Sequence, residues 1–213
     1  MNCATKSDVI LTDLSDLINK YGSDKDVNGY VQLYHTLFRE KRQQPIIFLE
    51  IGIGTMIPDS HSSMVGYSLE NYKPGGSLRA WRDYFPQGRI IGVDVQPDTQ
   101  FRDEPRVETY LCDSTKIEEV TKLMKQLDIR PDIIIDDGSH IDMNQLMTLK
   151  NFYPYLKDGG IYIIEDIYPG SQVSANPNLL VPHCSNDPFF FVGIKNNLCV
   201  ICKDFLNSKR KNY

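Results

Sequence analysis

The stretch "DIIIDDGSHI", residues 132 to 141, joins three consecutive isoleucines to two aspartates, a glycine and a histidine. An unbroken β-branched run is what a strand covered on both faces requires, because neither side of it meets water. The charged residues behind it cannot serve the core. They belong at the end of a sheet, where connecting segments carry chemistry.

Similar apolar runs recur on either side: "PIIFLEIGIG" from residue 45, "RIIGVDVQ" from 89, "RVETYLCD" from 106 and "IYIIEDI" from 161. Between them lie stretches with apolar residues every three to four positions: "GGSLRAWRDYFP", "STKIEEVTKLMKQLD" and "DMNQLMTLKNFYPYLKDGG". Strands alternating with helices predict a parallel sheet with right-handed crossovers. "FFFVGIKNNLCVICK", from 189, reads as two strands around a "KNN" turn, an antiparallel hairpin. The expected fold is α/β and Rossmann-like, a seven-stranded, mostly parallel sheet with helices on both faces. Its ligand crevice lies at the carboxyl ends of the strands. Two further helices precede the sheet, "DVILTDLSDLINKYG" and one around "VQLYHTLFREKR".

Length and composition bound the rest. The 213 residues suit a single domain, 1–213, with a helical cover over 1–44, a core over 45–203 and a basic tail, 204–213. A net charge of −5 gives no general pull toward nucleic acid or anionic membrane. No apolar run reaches membrane-spanning length, and the N-terminus lacks the layout of a secretion signal. The cysteines are scattered apart from the lone pair Cys199 and Cys202, which falls inside a strand pattern and reads as buried thiols. A cytoplasmic protein is expected.

Acids stand at the strand ends. Glu50 ends the first strand, and Gly52 and Gly54 let the chain turn close to a ligand. Asp94 ends the second strand, where a carboxylate accepts from ribose hydroxyls; Asp113 after the third is placed to receive an adenine amino group. Ser77 is read as the cap of the helix that follows the long 55–74 loop and as part of the cofactor site. Two nucleoside cofactors compete for this layout. Dinucleotide sites favour a helix directly after the glycines, facing a pyrophosphate, and here that helix is delayed. An acid before the glycines suits S-adenosylmethionine, which is cationic and carries no phosphate.

Asp137, Glu165 and Asp166 end two strands expected to be neighbours. Three carboxylates at one spot call for a positive charge between them, and all-oxygen ligands point to Mg2+. Asp136 faces the other way along its strand and is assigned to the cofactor. His140 starts the next helix within reach of a metal-bound group. His35, His61 and His183 are weaker candidates.

Together "YGSDK", "LEIGIG", "GGSLRAW", "GVDV", "DDGSH" and "YIIED" resemble the macrocin and mycinamicin sugar O-methyltransferases, over roughly residues 20 to 168. The resemblance implies a class I methyltransferase fold and a Mg2+-dependent transfer from S-adenosylmethionine to a sugar hydroxyl. It implies Asp137, Glu165 and Asp166 as metal ligands, and His140 with Asp137 as the catalytic pair. Glu50, Gly52, Asp94 and Asp113 become cofactor contacts. Ser23, Asp24 and Lys25, with Tyr30 and Tyr34, become a cover over the acceptor, a small molecule or glycan bearing a hexose or 6-deoxyhexose such as rhamnose. Relatives form dimers or larger assemblies, so a homo-oligomer is possible. An NAD-dependent oxidoreductase, or a silent nucleotide-binding protein, is the competing reading on the same architecture.

Overall fold

The structure is a computed structural model and describes residues 6–60, 62–66, 72–184, 191–195 and 197–203. The basic tail, His61, Cys3 and the start of "PFFFVG" lie outside these. Among the described residues no helix is long and apolar enough to cross a membrane.

Two helices open the chain, α1 (Lys6–Lys20) and α2 (Val31–Phe38). The sheet and its crossovers follow: β1 (Ile47–Ile51), α3 (Gly76–Tyr84), β2 (Arg89–Asp94), β3 (Val107–Leu111), α4 (Ile117–Leu127), β4 (Ile133–Asp136), α5 (Asp142–Phe152) and β5 (Ile161–Ile164). A four-residue helix, α6 (Gln172–Ala175), and the strands β6 (Phe191–Lys195) and β7 (Leu198–Cys202) complete the order. The seven strands lie as β3-β2-β1-β4-β5-β7-β6, the first five parallel and the hairpin antiparallel. The expected α/β sheet and its hairpin are therefore observed. The order reverses between β1 and β4, which opens the crevice there.

Strand alternation divides the core in two. Phe48, Ile133, Ile135, Ile161 and Ile163 face α1, α2 and α3, while Leu49, Ile51, Ile134, Tyr162 and Ile164 face α4 and α5. Both halves are dry, so the isoleucine run is buried on each side as its composition requires. Tyr34 stacks on Phe38 at 5.4 Å and meets Trp81 edge-on at the same distance, which fixes α2 against β1 and α3.

One local expectation is corrected. Ser77 does not cap α3. Gly75 holds that position with φ +85°, and the Ser77 hydroxyl instead donates to Glu50 Oε2 at 2.8 Å. A left-handed turn costs glycine little, and the serine is then free to serve a buried carboxylate.

Candidate active site

Parity along the strands decides which acid faces which helix layer. Glu50, Asp137 and Glu165 fall in step with Phe48, Ile135 and Ile163, on the α1–α3 side; Asp136 falls in step with Ile134, on the α4–α5 side. The same strand ends therefore build two different sites.

On the α1–α3 side, the turn between α1 and α2 sends Lys25 inward. Its side chain is 1% exposed, and Nζ lies 2.7 Å from Asp137 Oδ2, 2.8 Å from Glu165 Oε1 and 3.2 Å from Glu50 Oε1. Burial alone would depress this ammonium, but the three carboxylates hold its pKa far above the ordinary value. In return, although burial opposes it, Lys25 and His140 keep Asp137 below the usual carboxylate range. Glu165 is pushed up by burial and by the charge of Asp137, with Lys25 acting against both. Tyr34 donates to Glu165 Oε1 and Tyr30 donates to Asp166 Oδ1 at 2.7 Å.

The oxygens left over turn toward His140. Its Nε2 is 3.0 Å from Asp137 Oδ1 and 3.3 Å from Asp166 Oδ2. Burial pushes His140 down, but the hydrogen bond to Asp137 and the charges of Asp137, Asp166 and Glu165 raise it to about 9. His140 and Asp166 both sit in the left-handed backbone region, with φ of 57° and 55°. Non-glycine residues hold that conformation at a cost, which Asp and His bear more readily than most. Asp137, His140 and Asp166 line a cavity of about 550 Å³. Its wall mixes apolar surface with uncharged polar groups, among them Asn19, Ser23, Asn28, Ser63 and Asn197.

These acids fit a hard divalent cation. Asp137, His140 and Asp166 bring ligand atoms within 4.8 Å of one another, as do Glu50, Asp137 and Glu165. The second group is already occupied by the Lys25 ammonium, whereas the first opens on the cavity. Asp137 Oδ1, Asp166 Oδ2 and the His140 ring are oxygen and nitrogen donors facing one cavity, the donor set a divalent cation takes.

On the other side of Gly52 lies a second cavity, of about 250 Å³. It is lined by Asp94, Asp113 and Asp136 together with Gln96, Asn144 and Gln145. Asp94 accepts from the backbone N–H of Ile53 and of Gln96, each at 2.8 Å. Asp113 accepts from both the backbone and the hydroxyl of Thr115. Asp136 is 2% exposed, its Oδ2 has no partner, and burial pushes it up to about 7. A buried carboxylate oxygen without a donor is costly and points to a ligand that supplies one.

Gly52 separates the two sites. Its φ is +87°, and a Cβ there would lie 1.9 Å from the carbonyl oxygen of Asp137. Gly54 lines the larger cavity. Glu50 and Ser77 line neither of the two; they bond to one another behind Gly52. Of the cover residues, Ser23, Asp24 and Tyr30 line the larger cavity, while Lys25 and Tyr34 are buried beneath it. His35 is buried against Tyr84, and His183 ends a short 3₁₀ segment away from both cavities.

Sequence reasoning did not find the inner cation. Nor did it find the polar face of α5, where Gln145, Thr148 and Asn151 are buried while Met143 and Met147 are exposed. That inversion is written in the sequence as polar residues at helical spacing, and Gln145 uses it to donate to the Glu165 carbonyl at 3.0 Å.

No family model matches the chain. Among characterised proteins it is 33% identical over 171 residues to mycinamicin VI 2''-O-methyltransferase of Micromonospora griseorubida, covering 78% of this chain and 39% of the relative. It is 37% identical over 158 residues to 8-demethyl-8-(2-methoxy-alpha-L-rhamnosyl)-tetracenomycin-C 3'-O-methyltransferase of Streptomyces olivaceus, covering 73% and 37%. Among solved structures, the MycE methyltransferase of mycinamycin biosynthesis, in complex with Mg and SAH, superposes with a TM-score of 0.69 at 27% identity, over 90% of this chain and 54% of that one. The chain thus spans about two fifths of the length of the curated relatives it matches. The resemblance read from the sequence motifs is borne out, and so is the class I methyltransferase fold.

Proposed function

We propose that this chain, a homologue of the mycinamicin- and macrocin-type sugar O-methyltransferases, moves a methyl group from S-adenosylmethionine to a sugar hydroxyl at a site that also takes Mg2+. When bound, the cofactor supplies an electrophilic methyl on a sulfonium, and the cation supplies Lewis acidity that lowers the pKa of the acceptor hydroxyl.

The protein's part is placement and proton handling. Asp94 and Asp113 hold the nucleoside in the smaller cavity, and the unpartnered oxygen of Asp136 receives a donor from the same ligand. Gly52 lets the cofactor pass close to the backbone that carries Asp137. Asp137, Glu165 and Asp166 would hold the cation, Asp137 and Asp166 from the cavity wall and Glu165 from beneath, where Lys25 and Tyr34 hold its Oε1. His140 Nε2, on the wall of the larger cavity beside Asp137 and Asp166, is the group that would take the acceptor's proton. Nε2 itself lies 3.0 Å from Asp137 Oδ1, a contact that holds the ring at the cavity and that the acceptor's hydroxyl would displace. The amides and hydroxyls set among apolar surface in the larger cavity suit a hexose or 6-deoxyhexose, which has both hydroxyls and apolar faces, and the rhamnosyl compound in a relative's name supports that class. We further assign the chain to the cytoplasm and treat residues 1–213 as one catalytic unit.

The single observation that carries this reading is the meeting of Asp137, His140 and Asp166 on the wall of one cavity, with the second cavity, lined by Asp94, Asp113 and Asp136, beside Gly52. The test is methyl transfer from labelled S-adenosylmethionine to a panel of deoxysugar glycosides, with and without Mg2+. Full transfer in excess chelator overturns the cation's role. A thermal shift with NAD but none with S-adenosylhomocysteine would favour the oxidoreductase reading instead.

A further inference from the structure

The segment between α1 and α2, with the start of α2, touches every carboxylate of the proposed cation site, and it takes one oxygen from each. Lys25 Nζ holds Asp137 Oδ2 at 2.7 Å and Glu165 Oε1 at 2.8 Å. Tyr34 holds the same Glu165 oxygen, and Tyr30 holds Asp166 Oδ1 at 2.7 Å. What remains on the cavity side is Asp137 Oδ1 and Asp166 Oδ2, both beside His140, while Glu165 lies buried beneath them.

Cations differ in what they ask of a carboxylate. Ca2+ takes six to eight oxygens in a loose shell and often claims both oxygens of one carboxylate, whereas Mg2+ demands near-octahedral geometry and is served by one or two carboxylates plus water. A carboxylate whose second oxygen is turned onto a lysine or tyrosine donor is held away from the bidentate geometry that Ca2+ exploits. We propose that Lys25, Tyr30 and Tyr34 are positioning residues that turn Asp137, Glu165 and Asp166 into one-oxygen ligands, and so set the site's preference for a small octahedral cation over calcium. The inference rests on the cation site proposed above. It gives the cover segment a task that shielding an acceptor does not explain, since Lys25 and Tyr34 have no exposed surface to offer a sugar.

The test is calorimetric titration of the full chain, saturated with S-adenosylhomocysteine, with Mg2+ and separately with Ca2+ at fixed ionic strength. The quantity read is the ratio of the two affinities, which a general loss of stability does not move. Groups that orient metal ligands typically change affinity roughly 10- to 100-fold when removed. Lys25→Met is expected to raise the Ca2+-to-Mg2+ ratio about tenfold or more. Tyr30→Phe, which deletes one hydroxyl and keeps the buried charges, is expected to raise it by a smaller factor.

If Lys25→Met does not fold, Tyr30→Phe and the double variant Lys25→Met/Glu50→Gln, which keeps the local charge balanced, are read in its place. An unchanged ratio in the folded variants overturns the inference while leaving the cation site standing. A wild-type chain that binds neither ion brings down the site itself, and the inference with it.

Discussion

The two sides of Gly52 are built from the same strand ends and are opposite in electrostatic state. On the α1–α3 side the carboxylates are bonded to one another's partners through Lys25, Tyr30, Tyr34 and His140. On the α4–α5 side Asp136 keeps an oxygen with neither a donor nor a cation beside it among the described residues, whereas Glu50 Oε1, also without a hydrogen bond, has the Lys25 ammonium at 3.2 Å. The contrast teaches that a closed network holds ligands in position, while an open one waits for a ligand to complete it. One residue's shift along β4, from Asp136 to Asp137, is enough to move a carboxylate from one state to the other.

The most drastic way to break that contrast is to fill its dividing wall. Gly52→Ala adds a Cβ that collides with the Asp137 carbonyl in a backbone region hostile to side chains. It is expected to cost about 3 kcal/mol or more, read as a fall in denaturation midpoint, and to damage cofactor and cation binding together. Retention of both in a stable variant would show that the two sides do not share this wall.

The remaining substitutions separate the sides. Asp137→Asn removes the carboxylate that links the inner lysine to the cavity; turnover is expected to fall by roughly 10²-fold with loss of Mg2+ response, while S-adenosylhomocysteine still binds by calorimetry. His140→Ala is expected to lower turnover about 10²-fold or somewhat less, the low end of the range for a general base, because the cation retains its share of the work. Its affinity for S-adenosylhomocysteine should not change. Asp136→Asn is the mildest, since it keeps shape and removes charge from the open side alone. Cofactor affinity is expected to drop about tenfold, the effect of one charge-assisted hydrogen bond, with Mg2+ affinity unaltered.

Much of this was legible because it is local. The isoleucine runs name β1, β4 and β5, and the acids directly after them name the functional end of the sheet. The opposite facings of Asp136 and Asp137 follow from a period of two. Glu50 obeys the same rule, but the sequence reading followed its family role to the cofactor and not its parity, which puts it beside Lys25. Lys25 itself carries no local signal. It is a lysine in a polar turn, and its partners are 112 and 140 residues away. Ser77 was misread for a related reason: a serine at a helix start is an ordinary cap, and only the fold shows that a buried glutamate claims its hydroxyl.

The buried lysine has a consequence for the life of the chain before any ion arrives. Acids that must converge usually wait for an imported charge, and small metal domains stay unfolded until they receive one. Here Lys25 and His140 already stand among the acids, so collapse of the sheet does not depend on the supply of minerals. Material prepared from starved cells, stripped of every divalent ion, should melt in one cooperative step and regain competence on adding the ion back.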